Sequence, residues 1–200
     1  MEDKENIQIP DTLRDILSET EKIGFEMTSD PLTGSLLRTL AASKPSGHLL
    51  EIGTGTGVST AWILDGMCHR SKLTTVENDE RVAAIAQKHL DNDPRVSFYI
   101  KDAATFLEKN LEKKNLDNSE SFDLIFADTW AGKYNHLEAA LQILKVGGIY
   151  VIDDMLPQPN WPEGHAQKVV RLIKDLSTRP TLHITKLNWA SGIVLATKLG

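Results

Sequence analysis

Along this chain, short apolar runs alternate with longer stretches whose apolar positions recur three and four residues apart. The first pattern is that of buried strands and the second that of amphipathic helices. It predicts strands at residues 48–52, 72–76, 96–100, 122–127 and 149–152. Helices follow at residues 58–69, 79–90 (capped by Asp79), 103–111, 134–144 (stopped by Gly147 and Gly148) and 165–176. A loop with Pro157, Pro159, Trp161 and Pro162 precedes the last helix. Residues 182–187 and 192–198 then form two strands so close in sequence that they must pair antiparallel. Repeated strand–helix units predict an α/β domain, Rossmann-like, with a mostly parallel sheet covered by helices on both faces.

Two helices are predicted ahead of the first strand. One starts at Asp11 or Thr12 and runs to about residue 23, with Leu13, Ile16 and Leu17 on one face. The other has Asp30 as N-cap, Pro31 at its first position, and a stripe of Leu32, Leu36, Leu37 and Leu40, ending at Lys44-Pro45-Ser46-Gly47. The chain thus divides into residues 1–45, a partial lid of two helices, and residues 46–200, the core of a single domain. Residues 1–10 are expected to fray, and residues 108–121 to end a helix and continue as a solvated loop.

The centre of the pattern is the run from Leu49 to Ser59, Leu-Leu-Glu-Ile-Gly-Thr-Gly-Thr-Gly-Val-Ser. It reads as strand, glycine-rich turn and helix start. Gly53, Gly55 and Gly57 allow backbone to approach a ligand, and the helix beyond offers free N–H groups. A dinucleotide fingerprint would carry a small residue where Val58 stands. Glu51 would repel a pyrophosphate but suits an ammonium or sulfonium charge. Both features favour S-adenosylmethionine over a nicotinamide cofactor, although a purely structural glycine turn would look similar.

Ligands of open α/β sheets lie beyond the carboxyl ends of the strands, and here those ends carry Glu51, Glu77, Asp102, Asp128, Asp153 and Asp154. Glu77 stands where a carboxylate can accept both ribose hydroxyls. Asp102 and the Ala103 N–H are placed for adenine, Asp102 alternatively capping its helix. Ser59 is placed for the cofactor carboxylate or as a helix cap. Asp128, Asp153 and Asp154 would repel one another unless a hard cation such as magnesium joined them, or unless they form a hydrogen-bonded polar cluster. Without a metal, Asp128, Asp153 or His165 is the candidate base, and Trp130 and Trp161 are candidate walls of an acceptor pocket. Trp62 and Trp189 are read as structural.

Composition narrows the partners. The 200 residues suffice for one domain with a real core. A formal charge of -6 argues against non-specific nucleic-acid binding. The single cysteine, Cys68, excludes an internal disulfide, points to a reducing cytoplasm, and reads as a small buried hydrophobe. No apolar run is long enough for a membrane span. An apolar face on the first helix could pair two chains as a homodimer.

These residues resemble the class I methyltransferases, most closely the catechol and caffeoyl-CoA type O-methyltransferases. The resemblance runs from about Met27 to the end. It rests on Met27-Thr28-Ser29, the glycine turn, Glu77, Asp102-Ala103, Phe126-Ala127-Asp128 and the run from Gly147 to Asp154. It implies a seven-stranded sheet with an antiparallel last strand, Met27 and Thr28 among the cofactor contacts, and magnesium held by Asp128, Asp153 and Asp154. Two departures stand out. Asp154 replaces the family's asparagine, and Ala131 stands at the family's catalytic lysine, with Lys133 two residues along and expected to point elsewhere. The implied activity is O-methylation of a small hydroxylated molecule. Ala131 also suits a cofactor-binding protein that has lost catalysis.

Overall fold

The computed structural model describes residues 7–117, 121–159 and 161–200. The elements run α1 (Leu13–Lys22), α2 (Pro31–Ala42), β1 (His48–Ile52), α3 (Val58–Gly66), β2 (Lys72–Glu77), α4 (Glu80–Leu90) and β3 (Val96–Ile100). They continue α5 (Ala103–Asp117), β4 (Phe122–Ala127), α6 (Leu137–Ile143), β5 (Leu144–Ile152), α7 (His165–Thr178), β6 (Leu182–Leu187) and β7 (Ile193–Lys198). They build one seven-stranded sheet of order β3-β2-β1-β4-β5-β7-β6. β1 to β5 are parallel, and β7 inserts antiparallel between β5 and β6. This is the expected Rossmann-like arrangement with its antiparallel last strand.

Strand parity divides the core. Leu50 and Ile52 of β1 join Ile125, Ala127, Tyr150 and Ile152 on the face covered by α5, α6 and α7. Leu49 joins Leu73, Leu124, Phe126 and Val151 on the other face, under α1 to α4. Alternate residues of one strand point to opposite faces, so the central strand β4 is buried on both and almost wholly apolar. The helix starts at α2 and α4 follow their sequence signals. Asp30 accepts from the Leu32 N–H at 2.7 Å and Asp79 from the Arg81 N–H at 2.9 Å. At α1 the N-cap is Thr12, with no side-chain cap bond.

Several boundaries differ from the sequence expectation. α3 stops at Gly66 rather than near residue 69, because α2 crosses there: a Cβ on Gly66 would lie 2.1 Å from the Arg38 carbonyl oxygen. α5 continues past residue 111 to Asp117, while residues 118–120 of the expected solvated loop lie outside the described residues, as do residues 1–6 of the expected frayed end. α6 begins at Leu137, not residue 134, because residues 129–136 form a turn that ends with His136 at φ +54°. β5 begins at Leu144, earlier than residue 149, and absorbs Gly147 and Gly148 with a register shift against β4.

The apolar face of α1 is spent inside the chain. Leu13 and Ile16 are buried in the core, leaving Leu17 at 41% exposure, so the face thought free to pair two chains is not free. Cys68 is half-buried rather than an inert core residue. Its sulfur meets the Ser71 hydroxyl at 3.3 Å and accepts from the Ser46 N–H at 3.1 Å, and those hydrogen bonds lower the thiol pKa to about 6. Among the described residues no helix is long and apolar enough to cross a membrane.

Candidate active site

Two adjoining cavities open at the carboxyl ends of the strands. The first, about 350 Å³, is lined by Phe25, Met27 to Ser29, the glycine turn from Gly53 to Thr56, Val58, Ser59, Glu77 to Asp79, Val82, and Asp128 to Trp130. The second, about 590 Å³, shares Met27, Thr28, Ser29, Asp128, Thr129 and Trp130 with the first. It extends to Lys133, Tyr134, Asp153, Asp154, Gln158, Trp161, His165 and Ser191. A smaller recess of about 250 Å³ holds Asp102 and Ala103 and meets the first at Glu77.

The glycine turn wraps the first cavity. Its backbone receives the Glu77 carboxylate: Oε2 accepts from the Gly55 N–H at 2.8 Å, and Oε1 from the N–H groups of Asn78 at 2.9 Å and Asp79 at 3.1 Å. A carboxylate has about four lone-pair positions, and with three taken by backbone N–H groups Oε2 keeps one for a ribose hydroxyl. α1 supports the turn from behind through a 2.8 Å bond between the Thr20 and Thr56 hydroxyls. The segment after α1 closes the side, Ser29 donating to Asp128 Oδ2 at 3.3 Å, while Met27 stays 71% exposed.

Two expected cofactor residues are not in the lining. Gly57 serves packing. Its φ is +93°, and a Cβ there would meet Ala86 of α4 at 2.8 Å. Glu51 is wholly buried on the Leu49 side of β1, where Oε2 accepts from Thr60 and Thr75, each at 2.6 Å. Burial pushes its carboxyl up to about 7, against the pull of the Ser59, Thr60 and Thr75 hydroxyls. A side chain so placed does not reach a sulfonium. The expectation failed because strand parity, not the strand end, sets its direction. Asp102 caps α5, its Oδ2 accepting from the Thr105 N–H at 2.8 Å and hydroxyl at 3.0 Å, while also lining the small recess with Ala103. Ser59 and Thr28 line the first cavity.

The second cavity brings Asp128, Trp130, Asp153, Asp154, Trp161 and His165 together, and adds Lys133, Tyr134 and Ser191. A tight turn carries the first of these additions. Trp130 O accepts from the N–H groups of Lys133 and Tyr134, Gly132 sits at φ +84°, and the buried Tyr150 hydroxyl donates to Gly132 O at 2.7 Å. The turn reverses the chain, so Lys133 points back over the strand ends rather than away from them. Its ammonium is 4% exposed, 2.9 Å from Asp153 O and 3.5 Å from Asp128 Oδ1. Asp153 Oδ1 accepts from the Ser191 hydroxyl and from the Asp154 N–H at 2.8 Å. Burial raises the pKa of Asp128 to about 7 against the pull of Lys133, and burial raises that of Asp153.

The expected magnesium site does not form. Among the described residues no three acidic, histidine or cysteine side chains converge in metal-ligand geometry. Asp153 is turned to Ser191, and an ammonium group lies against the Asp128 carboxylate.

His165 opens α7 after Gly164 and sits among aromatic rings. Trp161 lies 4.5 Å from it between centroids, Tyr134 5.2 Å and Trp130 5.9 Å. Nε2 is 3.0 Å from the Tyr134 hydroxyl, and Nδ1 is a buried atom without a partner among the described residues. Burial, with Lys133 and Lys168 nearby, holds its pKa below the ordinary value, so the ring is neutral near pH 7. Trp62 is fully buried in the core, and Trp189 donates to Leu32 O at 2.9 Å, so both are structural as expected.

The sequence profile described as O-methyltransferase matches residues 4–199. The chain belongs to the O-methyltransferase family. A relative from Niastella koreensis, named catechol O-methyltransferase, is 29% identical over 130 residues, covering 63% of this chain and 57% of that protein. The chain thus spans little more than half the length of the curated relatives it matches. Among solved structures, the O-methyltransferase TomG from Streptomyces achromogenes, in complex with SAM, superposes with a TM-score of 0.80 at 21% identity, covering 98% of this chain and 93% of that one. An O-methyltransferase from Bacillus cereus in complex with SAH gives 0.80 at 23% identity, covering 97% and 93%. At these identities the likeness carries the fold.

Proposed function

We propose that the protein transfers a methyl group from S-adenosylmethionine to a hydroxyl of a small acceptor molecule. The observation that carries this reading is the pair of cavities meeting at Asp128, Thr129 and Trp130. The first suits the cofactor. Glu77 takes a ribose hydroxyl, Ser59 and the start of α3 take the carboxylate, Asp102 and Ala103 border the adenine, and Met27, Thr28 and Phe25 cover the side. α1 and α2 then act as a partial lid. When bound, the cofactor supplies an electrophilic methyl group on a sulfonium, whose sulfur keeps the bonding electron pair as the acceptor oxygen attacks.

The second cavity holds the acceptor. Trp130, Trp161 and Tyr134 offer flat walls that suit a planar ring, and in-line attack requires its hydroxyl to face the junction of the two cavities. His165 is the general base. It lines this cavity, and its Nε2 lies 3.0 Å from the Tyr134 hydroxyl, which lines the cavity beside it. Asp128, at the junction, borders both ligands. Magnesium has no place in this reading, because the three aspartates do not fit it. The test is binding of S-adenosylhomocysteine by calorimetry, then a screen of phenolic acceptors with methyl-labelled cofactor. Absence of binding overturns the proposal, and binding with no transfer to any acceptor favours the lapsed-enzyme alternative that Ala131 first raised. The formal charge of -6 disfavours nucleic acid as the acceptor.

A further inference from the structure

Lys133 is 4% exposed, and its ammonium lies between the Asp153 carbonyl and the Asp128 carboxylate, in a cleft also lined by the acids Glu26, Asp30, Asp153 and Asp154. A buried ammonium of this kind needs acceptors on several sides, and it has a carbonyl at 2.9 Å and a carboxylate at 3.5 Å. It is aimed by a turn that is itself fixed. A Cβ on Gly132 would lie 2.7 Å from the Tyr150 oxygen, and Tyr150 is wholly buried. On the opposite side, Ser191 holds Asp153 Oδ1, and the Leu156 N–H fixes Ser191 through its carbonyl at 2.8 Å. Asp128 therefore has a counter-charge, and Asp153 a fixed orientation, from groups of the chain itself.

We propose that Lys133 is the resident cation of this site, occupying the place of a divalent metal, and that the acceptor is bound without one. The proposal rests on the methyltransferase reading above. Its consequence is a substrate class. A metal that grips an acceptor through two adjacent oxygens demands a vicinal diol. A single ammonium beside Asp128 demands one oxygen, so acceptors with a lone hydroxyl qualify, and chelating pairs gain no advantage.

The test is electron paramagnetic resonance of manganese chloride added to the full-length protein saturated with S-adenosylhomocysteine. Binding of S-adenosylhomocysteine, measured in the same samples, checks the cofactor reading separately. The wild type should leave the free manganese signal unchanged. Lys133→Met, which keeps the side-chain length and removes the charge, should bind manganese about tenfold tighter or more, since it leaves buried carboxylates uncompensated. Lys133→Arg, which keeps the charge, should remain silent, and folding of each variant is checked by circular dichroism. Manganese held tightly by the wild type and lost in Asp153→Ala overturns the proposal. A folded Lys133→Met that is as silent as the wild type also overturns it, because Lys133 would then not be holding a metal's place. If Lys133→Met does not fold, the wild-type measurement and a comparison of catechol with monohydroxylated phenols as acceptors decide between the two outcomes.

Discussion

Replacing Glu51 by glutamine tests the electrostatics beneath the glycine turn. In the folded chain the Glu51 carboxyl titrates at about 7, against an ordinary value of 4.5, chiefly because burial disfavours the charged form. The folded state therefore holds a proton that the unfolded chain has lost across the window between those values. Stability falls as pH rises through that window, and the loss is complete above the folded pKa. At about 1.36 kcal/mol per pKa unit, a move from 4.5 to about 7 corresponds to a cost of about 3 kcal/mol in alkaline solution. A glutamine carries no such cost. Its carbonyl oxygen can accept from Thr60 and Thr75 as Oε2 does, and its amide takes the place of Oε1, which has no partner among the described residues. Urea unfolding of both proteins at about pH 4 and about pH 9 should show near-equal stability at the first and a variant about 3 kcal/mol more stable at the second. A difference that stays constant with pH, or a variant that loses stability as pH rises, would mean that Glu51 is charged and held by its hydroxyl partners, and the assignment of a neutral group there would fail.

Other outcomes follow from single contacts. His165→Ala should lower turnover by about 10² to 10⁴ while leaving S-adenosylhomocysteine affinity unchanged, since His165 lines only the acceptor side. An equal loss of affinity would place it elsewhere in the mechanism. Because burial and the two nearby lysines hold the His165 pKa below 6.5, the base stays deprotonated at neutral pH. The acid limb of kcat/KM should then fall below pH 6.5 and not above it. Trp161→Ala should raise the acceptor KM with little change in cofactor binding, read from steady-state kinetics. Gly34→Ala drives a Cβ to 2.4 Å from the Trp62 ring and should cost about 1–3 kcal/mol in denaturant unfolding, because fully buried Trp62 has no room to yield.

The parts of this protein that were legible in sequence are those governed by local rules. Asp30-Pro31 and Asp79 start helices because a side-chain acceptor two residues from a free N–H works in any context. Glu77 reaches the first cavity because a strand end in a parallel sheet opens on the crevice whatever the rest of the chain does. Glu51 misled, although parity with Leu49 already assigned it to the interior face, and Thr60 and Thr75 supply the hydroxyls that a buried carboxyl needs. Lys133 stands two residues past Ala131, an offset that along a turn or helix start points another way, whereas Gly132 and the buried Tyr150 hydroxyl shape a turn that brings it back. Ser191 reaches Asp153 from the connection between β6 and β7, a contact across 38 positions that no local pattern announces. Tyr134 and His165 meet only because α7 packs beside that same turn.

Isothermal titration of S-adenosylhomocysteine into the wild type and Glu77→Ala, with NAD as competitor, tests the central assignment most directly. The account predicts binding that NAD does not displace and an affinity about tenfold or more weaker in the variant, as expected when a charge-assisted hydrogen bond to a ribose hydroxyl is lost. Equal affinity in the two proteins would remove Glu77 from the ribose site, and displacement by NAD would contradict the methyltransferase reading of the cleft.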